Sequence, residues 1–175
     1  SLISEMGWRS NEPWIEEVIL PSEFPWEEAG FGRKRTLEAW KELGVKPRSG
    51  SFLVDENKSA TLLLPQGKQG PKFLTYPNFS IYLKWNDSFI YTVTAAHLAT
   101  RLNGAKRFLE DNPEDILTVE QMVDLQKILK FKGFDVGKVD GILGRKTRQS
   151  VRKLQLELGL PADSWPTINL LKRLR

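Results

Sequence analysis

Four glutamates are the first residues that could do chemistry, because they come as adjacent pairs, Glu16-Glu17 and Glu27-Glu28. A carboxyl works as a general acid when an apolar setting raises its hold on a proton. Both pairs sit among other charges, and like-charged neighbours usually stay in water, so they read as solvated faces. The chain has no Cys and one His, His97. Disulfides, thiol catalysis, thiolate metal sites and multi-His metal sites are thereby excluded. The segment Trp85-Asn86-x-Ser88-x-x-Tyr91 gathers an indole, an amide, an aliphatic hydroxyl and a phenol. Each also has a plain structural reading: Trp85 in a core, Asn86-Asp87 as a turn, Ser88 as a helix N-cap, Tyr91 in helix packing. Residues 145–153, Arg-Lys-Thr-Arg-Gln-Ser-Val-Arg-Lys, form a basic helical run of the kind that reads DNA. The Asp- and Gly-rich loop before it ranks that reading low, because such motifs use a tight turn.

The elements that must position these residues follow from punctuation and period. Leu2, Ile3 and Met6, closed by Gly7, read as the last turns of a helix, and the chain as a piece of a longer protein. A short disordered start is the other reading. Trp14–Leu20 reads as a strand. Thr36 caps a short helix to Leu43, stopped by Gly44. Ala60–Leu64 and Phe73–Tyr76 read as strands joined by a Gly- and Pro-rich loop. For Phe79–Leu83 a helix capped by Asn78 and a strand fit equally. Ser88 opens a firmer helix in which Tyr91, Ala95, Leu98 and Leu102 recur at helical spacing, and Gly104 ends it. Three helices follow. Thr118 and Gln121 form a capping box for the first, with Met122, Leu125, Gln126 and Leu129 on its inner face. The second carries Thr147, Val151, Leu154 and Leu158 on one face. Ser164 caps the third, from Trp165 to about Leu174.

The 175 residues allow one medium domain or two small ones. Hydrophobic residues are 40% and charged residues 27%, so wholesale disorder is excluded. No apolar run reaches the roughly 18 residues that would span a bilayer. Zero Cys suits a reducing cytosol or a periplasm alike. Residues 1–115 hold 14 Lys and Arg against 16 Asp and Glu, whereas residues 116–175 hold 12 against 6. This shift marks a boundary near Asn112-Pro113. A basic second half fits an anionic polymer, with nucleic acid and the carboxylate-bearing bacterial cell wall as candidates.

Leu125-Gln126, Leu129, Gly133, Gly137, Asp140-Gly141, Gly144, Thr147, Val151, Leu154-Gln155, Gly159-Leu160 and Asp163 appear in order. This pattern resembles the three-helix peptidoglycan-binding domain of cell-wall enzymes. The sequence departs from it at Ala162-Asp163-Ser164, where the family usually has Asp-Gly. By turn chemistry Asp140 bonds loop amides and Thr147 back-bonds within its helix, so the motif residues read as structural and the binding surface as the shallow groove between loop and helices.

Gly7-Trp8, Leu37-x-x-Trp40-x-x-x-Gly44-Val45, Ala60–Leu64-Pro65, Gly70-Pro71-x-Phe73-Leu74-x-Tyr76, Asn78-Phe79, Trp85-Asn86-x-Ser88-x-x-Tyr91 and Ala95-x-x-Leu98-Ala99 also appear in order. Together they resemble the C-terminal half of the catalytic domain of lytic murein transglycosylases of the membrane-bound B type. The family usually has Tyr where Trp85 stands and Ala where Thr92 stands. The resemblance implies an α+β fold: the rear half of a lysozyme-like catalytic domain with a small antiparallel sheet over residues 1–108, a linker at 109–116, and an all-α three-helix bundle over 117–175. It implies cleavage between N-acetylmuramic acid and N-acetylglucosamine to a 1,6-anhydro product. The general-acid Glu is expected upstream, so none of the catalytic residues lies in this chain. Substrate-binding residues carried over are Trp85, Asn86, Ser88 and Tyr91. His97 falls at a variable position and is not expected to be catalytic. No cofactor is implied, and the family's calcium loop also lies upstream. Expected partners are peptidoglycan and the front part of the catalytic domain, in the periplasm or cell envelope of a bacterium. A non-catalytic peptidoglycan-binding protein is the alternative.

Overall fold

A computed structural model describes residues 2–109 and 112–175. Glu110 and Asp111 of the expected linker lie outside the described residues. The fold is mixed α+β. A short helix, α1 (Leu2–Glu5), is closed by Gly7 in the left-handed region at φ 94°. Strand β1 (Ile15–Ile19) follows, then β2 (Lys34–Thr36), α2 (Leu37–Glu42), β3 (Lys46–Pro47), β4 (Ser59–Leu63) and β5 (Phe73–Thr75). The Thr36 hydroxyl caps α2 by accepting from the Ala39 amide at 3.2 Å. The strands form one antiparallel sheet in the order β2-β4-β5-β1-β3, with Leu62 opposite Leu74 and Ile15 opposite Thr75.

Strand side chains alternate between faces, and here both faces are covered. Val18, Ala60, Leu62 and Leu74 turn to one core, built with Leu37 and Trp40 of α2. The Trp40 indole donates to the Ala60 carbonyl at 3.0 Å, so its polar atom is satisfied inside. Ile15, Leu63 and Phe73 turn to the other core, which two further helices complete: α3 (Pro77–Asn86) and α4 (Phe89–Leu102).

The period of α4 misleads about its facing. Phe89, Thr92 and Ala96 go inward, whereas Tyr91, Leu98 and Leu102 are exposed, Leu102 by 80%. Thr92 can be buried because its hydroxyl donates back to the Ser88 carbonyl at 2.8 Å. Helix α3 settles the ambiguity at Phe79–Leu83, but Asn78 does not cap it. The N-cap is Tyr76, Pro77 takes the first helical position, and the Asn78 side chain is buried elsewhere.

The remaining helices, α5 (Val119–Phe131), α6 (Arg145–Glu157) and α7 (Ile168–Leu174), surround a separate core of Met122, Leu125, Leu129, Val151, Leu154 and Leu171. The Thr118–Gln121 capping box forms as expected. Helix α7 starts later than expected because Pro166 drives Trp165 out of helical geometry. Thr167, not Ser164, caps it, accepting from the Leu170 amide at 3.1 Å. Ser164 instead takes the left-handed conformation at φ 65°, which the family's usual Gly would hold without strain. Among the described residues no helix is long and apolar enough to cross a membrane.

Candidate functional site

Helix α3 buries Phe79 and Leu83, so Trp85 falls on its other side and Tyr82 at the border, while Asn86 ends the helix half-buried. Asp87, left-handed at φ 58°, ends α3 and donates its amide to the Leu83 carbonyl at 2.7 Å. Ser88 starts α4 at once, its hydroxyl accepting from the Tyr91 amide at 3.4 Å. Two residues therefore join the helices and place Tyr91 beside Tyr82. Their rings stack 6.5 Å apart at an interplanar angle of 7°. Trp85 lies 5.2 Å from Tyr82, 46% exposed, and Tyr91 is 55% exposed.

The structure thus brings Trp85 and Tyr91 onto one surface. It overturns the core reading of Trp85. Ser88 is the N-cap its type suggested, and Asn86 is the last residue of α3, before the turn at Asp87. Among the described residues the Asn86 amide has no hydrogen-bond partner and keeps its donors and acceptor.

Three aromatic residues that sequence reading left out of the site extend it. Trp14 lies 5.0 Å from Tyr82, and Trp8 packs edge-on to Trp14 at 4.6 Å. The five rings Trp8, Trp14, Tyr82, Trp85 and Tyr91 make a continuous ridge. Asn78 holds the loop between Trp8 and Trp14 in place. Its Nδ2 donates to the carbonyls of Arg9 at 2.7 Å and Glu12 at 3.1 Å, and its Oδ1 accepts from the Arg9 amide at 3.0 Å. The available signal was Asn78 itself, a polar residue in an apolar segment, which must bond something once buried. Burial, then the neighbouring Tyr91 phenol, push the Tyr82 hydroxyl above its ordinary value, so it stays neutral and able to donate near pH 7.

The expectation that the glutamate pairs are solvated fails for the first pair. On a strand, adjacent residues point to opposite faces, and both faces of this sheet are covered. Glu16 is 7% exposed; its carboxylate accepts from the Tyr76 hydroxyl and, at 3.2 Å, from the Leu53 amide. Burial, the largest influence, raises its pKa against those two bonds. Glu17 pairs with Arg48 and accepts from the Leu109 amide at 2.7 Å. Glu16 and Glu17 line a cavity of about 340 Å³ with Phe73 and His97. Both carboxylates are committed to protein donors, so this pocket carries structure. The His97 ring lies tilted against Phe108, centroids 4.6 Å apart, and burial lowers its pKa. In the second pair, Glu28 forms ion pairs with Arg35 and Arg33, and the Arg35 hydrogen bond leads in lowering its pKa.

The motif residues of the three-helix region turn inward. Gln126 is fully buried. Its Oε1 accepts from the Asp140 and Gly141 amides at 3.1 and 2.9 Å, and its Nε2 donates to the Ile142 carbonyl at 3.1 Å and the Thr147 hydroxyl at 3.2 Å. Asp140 bonds the Ile142 amide at 3.0 Å, the loop role its type suggested. Thr147 does not back-bond within its helix; its hydroxyl donates to the Val136 carbonyl at 3.2 Å. Gly141 is left-handed at φ 77°, and a Cβ there would meet Val119 at 2.7 Å.

Helix α6 docks this region on the sheet half. Arg148, 3% exposed, donates to the Pro65 carbonyl at 2.9 Å and lies over the rings of Phe89 and Trp165 at 4.6 and 5.7 Å. Burial pushes its pKa down to about 9, which leaves it charged at neutral pH. Arg152 donates to the Glu27 carbonyl, and Asp163 accepts from the Lys68 amide at 3.0 Å. Two arginines of the basic run are therefore spent on docking, which counts against the DNA-reading helix.

The sequence matches the transglycosylase SLT domain over residues 1–100 and a peptidoglycan binding domain over residues 118–174. The chain belongs to the transglycosylase SLT family. Two crystal structures of SltB3 from Pseudomonas aeruginosa, in complex with NAG-anhNAM-pentapeptide and with NAG-NAM-pentapeptide, are similar to it at a TM-score of 0.82 and 38% identity. The alignment covers 99% of this chain and 47% of SltB3, so the chain spans about half the length of SltB3. The spore cortex-lytic enzyme of Bacillus cereus is 46% identical over 44 residues, 25% of this chain and 17% of that enzyme. The ridge described above lies within the SLT match, and the Gln126 network within the peptidoglycan-binding match.

Proposed function

We propose that this chain is the C-terminal part of the catalytic domain of a lytic transglycosylase of the membrane-bound B type, joined to its wall-binding module and working in the bacterial periplasm or cell envelope. The observation that carries the reading is the five-ring ridge on the SLT region, in which Trp85 and Tyr91 are exposed and Trp8, Trp14 and Tyr82 half-buried. Aromatic faces stack on sugar rings, and an unpartnered amide beside them bonds an N-acetyl group. Trp85 supplies the ring face, Asn86 the amide and Tyr91 a hydroxyl, while Ser88 fixes the start of α4.

The reaction cleaves the MurNAc–GlcNAc bond. A Glu upstream of this chain protonates the glycosidic oxygen, the muramoyl C6 hydroxyl closes on C1 as that bond breaks, and its proton goes to the same carboxylate. One carboxyl suffices because the nucleophile is intramolecular, at high effective molarity. The front part of the domain covers the apolar outer side of α4, where Ile90, Leu98 and Leu102 stand exposed. The basic module raises effective concentration on the insoluble polymer.

The test is incubation with purified sacculi, with and without a separately supplied upstream segment. The expected result is sacculus binding by the chain alone, and 1,6-anhydro-muropeptides only when both parts are present. Anhydro products from the chain alone would overturn the upstream acid. Binding with no turnover in the complete protein would favour the non-catalytic reading.

A further inference from the structure

Phe89 is the pin between the two helices that carry the ridge. It is the first residue of α4, directly after the Ser88 cap and two residues before Tyr91. Its buried ring packs edge-on against Phe79 of α3, centroids 6.4 Å apart, and against Phe31 at 5.1 Å. A shift of Phe89 therefore moves the start of α4 against α3, and with it Tyr91 against Trp85.

The other region supplies the cover of Phe89. The Arg148 guanidinium of α6 lies over the Phe89 ring at 4.6 Å and donates to the Pro65 carbonyl at 2.9 Å, so one side chain holds both. Arg148 is buried, and among the described residues no carboxylate pairs with it. The nearby Asp163 oxygens are taken by the Gln155 side-chain amide and the backbone amides of Trp165 and Lys68. The Arg148 Nε has no hydrogen-bond partner among the described residues. A buried cation without an ion-pair partner carries a desolvation cost that an apolar side chain of similar shape would not. Stability does not explain it; a fixed spacer between a carbonyl and a ring does. Arg152, one turn further along α6, offers a comparison. It docks through the Glu27 carbonyl and, among the described residues, lies over no ring.

We infer that Arg148 is a positioning residue for sugar binding: seated on Phe89, it holds the α3–α4 turn so that Trp85 and Tyr91 share one face. The three-helix region thereby sets the affinity of a ridge built wholly from the SLT region. The inference rests on the proposed reading of the ridge as the sugar face and adds the dependence of that face on the other region.

The test compares the full chain with Arg148→Met, Arg148→Lys and Arg152→Met. Met keeps the reach of the side chain and removes the cation, whereas Lys keeps the cation and loses the planar fork. In the ligand-free protein the Trp85 indole and Tyr91 amide resonances are expected to shift in Arg148→Met, to shift less in Arg148→Lys and to stay in place in Arg152→Met. Calorimetric titration with the peptide-free NAG-NAM disaccharide is expected to show about fivefold weaker binding by Arg148→Met, an intermediate loss for Arg148→Lys and wild-type binding by Arg152→Met. In a Phe89→Leu background, Arg148→Met is expected to weaken binding no further. If Arg148→Met does not fold, the order of Arg148→Lys and Arg152→Met decides. Unmoved ridge resonances in the Arg148 variants, or equal shifts in Arg152→Met, would overturn the inference. Absence of disaccharide binding by wild type would reject the sugar-face reading and the affinity claim with it, while the ligand-free resonances show whether Arg148 positions the ridge.

Discussion

The two regions use their polar and aromatic motif residues in opposite ways. In the three-helix region Gln126, Asp140, Thr147, Gln155 and Asp163 bond one another and the backbone, so the motif is spent on holding a loop. In the SLT region Trp85, Asn86 and Tyr91 remain at the surface with ring faces and an amide open. A motif built of turn residues and buried amides thus describes a fold, whereas one that keeps large aromatic residues in water describes a binding face. The contrast predicts that the first set of residues controls stability and the second controls affinity.

The largest effect is expected at Gln126. Gln126→Ala leaves two buried amides without an acceptor and opens a cavity, costing about 3 kcal/mol. Chemical denaturation would show this loss in the three-helix region. If stability held and sacculus binding disappeared instead, the division between the regions would be wrong. Gly67→Ala comes next. Its φ of 73° and the 2.6 Å approach to Trp165 put strain and overlap at the junction of the two regions. A loss of about 2 kcal/mol is expected, read in thermal melts as two separate transitions for the variant against one for the wild type.

Trp85→Ala sharpens the other side of the comparison. Half exposed, it is expected to change stability by less than about 0.5 kcal/mol yet to weaken disaccharide binding roughly tenfold. Glu16 gives a pH signature. Its carboxyl has a raised pKa when folded, so between its ordinary value of 4.5 and the raised value the native state holds more protons than the unfolded one. Stability therefore falls as pH rises through that window. Glu16→Gln is expected to flatten this slope in denaturation curves taken across mildly acidic pH. The smallest effect is expected at Ser164. Ser164→Gly relieves a left-handed residue and is expected to stabilise the three-helix region by about 0.5–1 kcal/mol in thermal melts.

Much of this was legible in the residues. The capping box at Thr118, the α2 cap at Thr36 and the strands at Trp14–Leu20 and Phe73–Tyr76 depend on local chemistry, and the structure keeps them within a residue or two. What was not legible depends on neighbours distant in sequence. The facing of α4 was hidden because its small buried residues, Thr92 and Ala96, are less apolar than its exposed ones. Glu16 looked solvated because its strand context shows acid pairs, and nothing local shows that both sheet faces are covered. For Trp8, Trp14 and Tyr82, joining the ridge required the loop held by Asn78, 66 to 69 residues away. Arg148 looked like one cation of a basic run, and only the docking against Pro65 and Phe89 gives it a separate role.

The most direct measurement is a heteronuclear NMR titration of the chain with NAG-NAM disaccharide. Progressive shifts of the Trp85 and Trp14 indole resonances and the Tyr91 amide, with the Gln126 side-chain resonances unmoved, are the predicted result. Shifts confined to residues 117–175, with the aromatic ridge silent, would contradict the assignment of sugar binding to the SLT region.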